Sequence, residues 1–313
     1  MISIYKNTEE DKTIKQLDTI EPGAWINIVA PSQDELEFIS KEVGIPVEFL
    51  KSALDEEETS RIETEENNTL VIVDIPFTEM EDNSLTYDTY PLGIIYTETI
   101  LITVCLKNSK ILTDFMDSKI KSFYTFKRSR FILQILYRIA SYYLLYLRQI
   151  DKKSLLIEKK LHKSMKNKEL ILLLSLEKSL VYFSTSLKSN EITLEKMLKL
   201  DLIQKYPEDQ DVLEDVIIEN KQAIEMANIY SNILSGTMDA FASVISNNLN
   251  IVMKLLASIT IVMSIPNIIF GSFGMNVKGI PFNNTPNAFL ITNIITVIIC
   301  ILVIIFLRRK DLL

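Results

Sequence analysis

The hydrophobic positions of this chain change their period along its length, and the change sorts the chain into regions. Over the first 105 residues, apolar and β-branched positions gather in short runs, Ala24 to Val29, Thr69 to Ile75 and Leu92 to Cys105. Runs this rich in Ile, Val, Tyr and Thr predict strands. Between the first two, Ser32 and Glu35 make a capping box after Pro31, and Gly44 with Pro46 ends the helix it opens. A second short helix is expected over Val47 to Leu54.

After Gly93 neither Gly nor Pro occurs until Pro207, and the apolar spacing turns helical from Phe131 to Met165 and again in the 170s to 190s. Long antiparallel helices follow, with a heavily charged tip near Lys163 to Glu169. From Asp209 the helical pattern continues, interrupted only by Gly236, to Pro266. At 1.5 Å per residue that predicts one helix of about 85 Å.

The last 63 residues are of another kind. Leu255 to Val277 is a run of 23 residues without an ionisable side chain, and Ala288 to Leu307 is a run of 20 interrupted by Thr292, Asn293 and Thr296. Each is long enough to cross the roughly 30 Å of a bilayer's hydrocarbon as a helix. We place the spans at about 252–274 and 288–307. The loop between them holds Pro281 and Pro286 and is too short for anything but a tight hairpin, so both outer ends lie on one side. Arg308, Arg309 and Lys310 follow the second span, whereas the loop has the single Lys278. The positive-inside bias then puts both termini in the cytoplasm and the loop outside. The N-terminus has no charged-then-apolar leader pattern, which agrees.

The expected fold is therefore an α+β cytoplasmic domain, a mixed sheet with helices followed by long antiparallel helices, joined by one long helix to a C-terminal two-helix membrane hairpin. The expected divisions are 1–130, 131–250 and 251–313.

Charge sharpens this picture. Five of the 33 basic residues and one of the 41 acidic ones lie after Asn250, so the first 250 residues hold 28 bases against 40 acids, a net charge of −12. A soluble part this acidic is ill suited to phosphate backbones, which excludes nucleic acid as a partner. Cys105 and Cys300 form neither a disulfide framework nor a zinc set. The lone His162 has no partner motif and the seven glycines form no phosphate-cradling loop, so no enzyme chemistry is expected.

Two stripes carry candidate chemistry. On the first span Leu256, Thr260, Ser264, Asn267, Gly271 and Gly274 share one face and, Leu256 apart, are small or polar. Such a face serves either close helix packing or the lining of a pore. On the long helix Asp211, Asp215 and Glu219 recur every four residues, either as a solvated face or as carboxylates awaiting a cation.

At the end of the first span stands Phe273-Gly274-Met275-Asn276-Val277, followed by a short loop, a last span and a basic tail, and preceded by the helix carrying SNNLNIVMKLL. Gly-Met-Asn in this setting resembles the signature of the CorA family of magnesium transporters. The resemblance covers about the last 110 residues, and more loosely WINIVAPSQDELEFISKEVGIP and LDEEETSRIE. It implies a homopentameric funnel in the plasma (inner) membrane, with five first spans around a pore. Gly274, Met275 and Asn276 become its selectivity filter, in which Asn276 accepts hydrogen bonds from the water shell that magnesium releases reluctantly. Asn267, Ser264 and Thr260 line the path, Leu256 makes a hydrophobic constriction, and Asn250 stands at the cytoplasmic mouth. Asp215, with Asp211 and Glu219 beside it, is matched to a regulatory magnesium site between subunits, with Asp55 and Glu56 as partners. This chain departs from common members at Ser264, where a larger apolar residue is frequent, and in a loop without acids. No cofactor is implied. Magnesium is the expected ion, with cobalt, nickel or, as in the ZntB-like branch, zinc as alternatives. A membrane-anchored sensor is the more distant reading.

Overall fold

A computed structural model describes the chain except for residues 11–12, 66, 82–83, 121, 165–166, 201–206, 276–278, 283–284, 311 and 313. It divides into two compact units, Met1–Gly236 and Thr237–Leu313.

The first unit is built on a seven-stranded mixed sheet in the order β2-β1-β3-β7-β6-β5-β4. Its strands are β1 (Ile2–Lys6), β2 (Lys15–Leu17), β3 (Trp25–Val29), β4 (Arg61–Glu65), β5 (Asn68–Glu81), β6 (Ser84–Tyr96) and β7 (Leu101–Cys105). Only β3 and β7 run parallel, with Ile26 opposite Ile102 and Ile28 opposite Val104. Alternate residues of β3 serve the two faces, as pleating requires. Ile26 and Ile28 are buried with Leu70, Ile72, Ile102 and Val104 beneath two helices, α1 (Gln33–Val43) and α2 (Val47–Ser52). Trp25 turns to the other face, where its ring meets Phe131 edge-on at 5.1 Å and its Nε1 donates to Thr103 Oγ1 at 2.9 Å.

The Ser32–Glu35 capping box forms in both directions, and Gly44, at φ 74°, ends α1 in a left-handed cap. The expected strand over Leu92 to Cys105 is instead the end of β6 and all of β7. Thr97 turns the chain between them, its Oγ1 accepting from the amides of Thr99 (3.3 Å) and Ile100 (3.1 Å). Strands β1, β2 and β4 and a seven-residue helix, α3 (Lys110–Met116), had no expectation attached to them.

Gly93 is where α2 presses on the sheet. A Cβ built there would lie 2.6 Å from the Cβ of Ala53, which is fully buried. Gly93→Ala should therefore push α2 off β6 and cost about 1–3 kcal/mol, read as a lowered urea midpoint in the fluorescence of the single tryptophan, Trp25.

The second face of the sheet is covered by α4 (Arg128–Ser164) and α5 (Asn167–Leu200). The segment Asn167–Lys199 is also long and apolar enough to cross a membrane. Leu173, Leu176, Leu180, Phe183 and Leu187 are buried in this unit, however, and they make α5 a core helix. Asn190 of α5 fastens it to the sheet, its Nδ2 donating to the Asp74 carbonyl and its Oδ1 accepting from the Asp74 amide, both at 2.8 Å.

A single helix, α6 (Pro207–Phe273), begins in the first unit and continues into the second, which is completed by α7 (Ala288–Arg309).

Candidate ion pathway

In the second unit the apolar segment of α6 has two faces of different character. Ser258, Val262, Ile265, Pro266, Ile269 and Phe273 are buried or half-buried and recur at helical spacing. On α7 the covered positions are Ala288, Ile291, Thr292, Thr296, Cys300, Val303 and Leu307. Small side chains at 288, 292, 296 and 300 permit close approach of a neighbouring helix, as membrane helix pairs require. The hydroxyls of Thr292 and Thr296 donate back to the carbonyls of Ala288 (2.8 Å) and Thr292 (2.7 Å), so no donor is left bare in an apolar setting. Ser258 Oγ, nearly fully buried, donates to the Leu312 carbonyl at 2.6 Å and ties the chain end back to α6.

Roughly opposite Ser258 lies the predicted stripe. Leu256, Thr260, Asn267, Gly271 and Gly274 are exposed and Ser264 is half-buried, so among the described residues of the second unit most of the stripe has no helix over it. Thr260 Oγ1 and Ser264 Oγ donate to the carbonyls of Leu256 and Thr260, each at 2.8 Å. Their protons are therefore committed to the backbone, and what the stripe offers outward is lone pairs, which suit cations and the hydrogens of a cation's water shell. Pro266 lacks the amide that would bond the Val262 carbonyl, leaving one more acceptor along the segment. Asn250, one turn before the apolar segment, is exposed.

At the end of α6 the Gly274 amide bonds the Phe270 carbonyl at 2.9 Å and the Met275 amide bonds the Ser272 carbonyl at 3.4 Å. Gly274 does not adopt a positive φ, and a Cβ there would meet the Phe270 carbonyl at 3.4 Å. That distance is ordinary contact, so neither space nor a left-handed backbone demands glycine at this position. Met275 is 56 % exposed and does not pack beneath Gly274. Asn276 lies outside the described residues.

The acidic positions belong to the first unit. Asp55 Oδ1 accepts from the Glu57 amide at 3.0 Å and shapes its own loop. Asp55, Glu56, Asp211 and Asp215 are exposed and Glu219 is half-buried. Among the described residues none of the five pairs with Lys or Arg. Nor do any three His, Cys, Asp or Glu among the described residues gather within reach of one ion. Within one chain the two acidic segments form no site.

The profile of the family described as CorA-like Mg2+ transporter protein matches residues 22–309. This chain belongs to the CorA family. It is 30% identical over 294 residues to the cobalt/magnesium transport protein CorA of Methanocaldococcus jannaschii, covering 91% of this chain and 90% of that protein. The complete structure of the CorA magnesium transporter from the same organism superposes with a TM-score of 0.81 at 26% identity, over 99% of this chain and 98% of the other. The ZntB cytoplasmic domain of Vibrio parahaemolyticus matches with a TM-score of 0.58 at 14% identity, over 79% of this chain and 97% of that one, a likeness of fold alone. Membership makes the two apolar C-terminal segments those of a membrane protein and places the chain among transporters, not enzymes. The mixed sheet, the long helices and the apolar ending all agree with the fold expected from the sequence.

The covered face shared by Ser258, Thr292, Thr296 and Cys300 was missed in the sequence reading. Its signal was there, as small residues spaced by four in an otherwise bulky span.

Proposed function

We propose that this chain is the subunit of a homopentameric channel that admits hydrated magnesium to the cytoplasm across the plasma membrane. The observation that carries the reading is the uncovered small and polar face of α6, ending at Gly274-Met275-Asn276 in a CorA-family chain. One hairpin encloses no aqueous path, so copies must supply the surrounding helices. In a ring of five the stripe of Thr260, Ser264, Asn267 and Gly271 turns inward with lone pairs toward the ion. Leu256 forms a constriction that closes by dewetting, Asn250 the inner mouth, and the Asn276 amides the filter. The positive tail at Arg308 to Lys310 favours cytoplasmic termini. The divisions 1–130, 131–250 and 251–313 then separate the sheet domain, the funnel helices and the pore.

The similar archaeal protein is named for cobalt as well as magnesium, and cobalt is the second cargo of this reading. The test is uptake into liposomes holding the purified protein and a trapped indicator. Magnesium influx driven by membrane potential alone is expected, with cobalt competing. Zinc influx that needs a proton gradient, without magnesium flux, would replace this reading by a ZntB-like one.

Regulation is proposed at the acids that pair with no Lys or Arg among the described residues, Asp55 and Glu56 against Asp211, Asp215 and Glu219 of a neighbouring copy. Bound magnesium would hold copies together, and its loss at low internal magnesium would release them. Magnesium should protect the wild type from protease, and the double variant Asp55→Ala with Asp215→Ala should lose most of that protection. Equal protection of both proteins would remove the regulatory site.

A further inference from the structure

We propose that the tip of the α4–α5 hairpin docks on a bilayer surface of anionic phospholipid. The tip belongs to the first unit, and the inference needs only that the chain is a membrane protein, not the pore reading.

Charge at the tip runs against the rest of the unit. Residues 151–169 hold seven lysines and His162 against three acids, Asp151, Glu158 and Glu169. Of the 28 bases and 40 acids in the first 250 residues, 21 and 37 lie elsewhere, so a cationic tip stands on an acidic body. Lys152, Lys159 and Lys168 are exposed, and none of the three has a carboxylate partner among the described residues.

The lysines are interleaved with exposed apolar side chains. Ile150, Ile157 and Leu161 are buried and share the inner face of α4. The opposite face carries Lys152, Leu155, Leu156 and Lys159, with Leu155 48 % and Leu156 60 % exposed. On α5 the pattern continues in exposed Lys168, Ile171 and Leu174. The core takes Leu173, Leu176 and Leu180 from that helix, which leaves Ile171 and Leu174 as apolar surface that the fold itself does not use.

Leucines set among lysines suit a bilayer surface. The apolar side chains sink to the boundary of headgroups and acyl chains, while the lysine stems let the ammonium groups stay at the phosphates. The core of a protein interface is instead depleted of lysine and enriched in aromatic residues and arginine. Residues 151–169 contain no Arg, Phe, Tyr or Trp. A bilayer is also at hand. Tyr230 of α6 feels the charges of Asp151 and Arg148 on α4, and the run without ionisable side chains begins at Leu255, 25 residues further along the chain.

The experiment places the full-length protein in lipid nanodiscs and reads tryptophan quenching by phospholipids brominated on their acyl chains. Trp25, the single native tryptophan, is 0 % exposed and gives a constant background. Leu156→Trp reports on the tip, and Ile192→Trp, at a position of α5 that is 70 % exposed, is the control. In discs of equal parts phosphatidylglycerol and phosphatidylcholine the tip tryptophan should be quenched and the control should not. In discs of phosphatidylcholine alone the quenching should be lost. A lysine near an anionic surface contributes about fivefold to binding, so Lys152→Gln, Lys159→Gln and Lys168→Gln together should lower the docking equilibrium roughly a hundredfold. Salt at about 0.5 M should act in the same direction with every lysine in place, because it shortens the screening length to a few Å. Both faces of a disc carry the same lipid, so the outcome does not depend on the side of the membrane that the first unit occupies. Equal quenching in the two kinds of disc, no quenching in either, or quenching that neither the lysine variant nor salt reduces overturns the proposal. A tip tryptophan with blue-shifted emission and no quenching in phosphatidylcholine discs overturns it too, by assigning the face to a second copy of the chain.

Discussion

Asn276→Ala should lower magnesium uptake into liposomes by about tenfold or more, while the variant still assembles and inserts. Magnesium keeps its octahedral water shell, so a filter that recognises it must do so through that shell. Hydrogen bonds to charged groups and their polarised waters are worth about 1.5–3 kcal/mol each, and losing even one from the rate-limiting site corresponds to about tenfold. A ring of five amides would lose several. The measurement is the initial rate of indicator signal at fixed membrane potential, with hexaamminecobalt as a competitor that cannot shed its ligands. Block of the wild type by that ion and loss of block in Asn276→Ala would locate recognition of the intact shell at this residue. Wild-type rates and block in the variant would move the filter elsewhere, Asn267 being the next amide along the stripe.

Asp74→Asn should stabilise the first unit at neutral pH by about 3 kcal/mol and flatten its pH dependence. Asp74 stands on β5 under α4 and α5, and burial raises its carboxyl from 3.8 to about 6, partly offset by a hydrogen bond from Ser186. The groups around it are neutral: the Tyr143 hydroxyl donates to the Asp74 carbonyl at 3.1 Å, Asn190 bonds its backbone, and Ser186 Oγ lies 2.9 Å from Thr89 Oγ1. No Lys or Arg among the described residues pairs with it. The sign follows from linkage. Between pH 4 and 6 the folded protein binds more protons than the unfolded chain at this site, so the contribution of Asp74 is fully present below about 3.8 and is lost as pH rises through about 6. A shift of about two pKa units corresponds to about 3 kcal/mol. Asparagine keeps the polar contacts without the charge. Urea denaturation followed through Trp25 should show the variant more resistant at pH 7.5 and similar to the wild type at pH 4. Equal midpoints at both pH values would show that Asp74 is solvated in the folded protein.

Asp114 provides the opposite case in the same unit. Hydrogen bonds from Tyr142, Arg138 and Lys119 outweigh its burial and hold its carboxyl below the usual range, so its contribution is lost only in acid. The half-buried Asp74 and the buried Asp114 thus differ in sign because Asp114 has cations beside it and Asp74 has none among the described residues. The local sequence shows only part of this difference. Lys119 is five residues from Asp114, but Arg138 and Tyr142 sit on α4, more than 20 residues further along the chain.

Local rules were sufficient wherever a property is written into neighbouring residues. Ser32 to Glu35 and Gly44 specify both ends of α1 through bonds made within a few residues, and both ends formed as expected. The two apolar runs near the C-terminus specify helices by length and lack of charge, because backbone groups in hydrocarbon must pair within the segment. Gly-Met-Asn at the end of the first run was enough to point to the family that residues 22–309 match. The short outer strands were less legible. β1, β2 and β4 are short and partly polar, and they are strands because neighbours offer them ladders. The run from Leu92 to Cys105 hid a turn, since Thr97 makes it with a side-chain hydroxyl and needs no glycine.

The sequence by itself determined the long helices and the two C-terminal runs, since period, caps and charge act over one or two turns, whereas burial in the tertiary structure kept α5, which is also long and apolar enough to span, in the core. Only the tertiary structure decided which face of each helix is covered. The stripe from Leu256 to Gly274 and the stripe through Ser258 and Pro266 both contain small or polar residues, and periodicity treats them alike. Packing separates them, leaving one against the hairpin and the other open. The same holds for the Asp209 carboxylate, which reads as one more acid at a helix start until α4 is packed beside it. Burial and pairing are properties of what arrives from elsewhere in the chain, and a pattern of neighbours does not contain them.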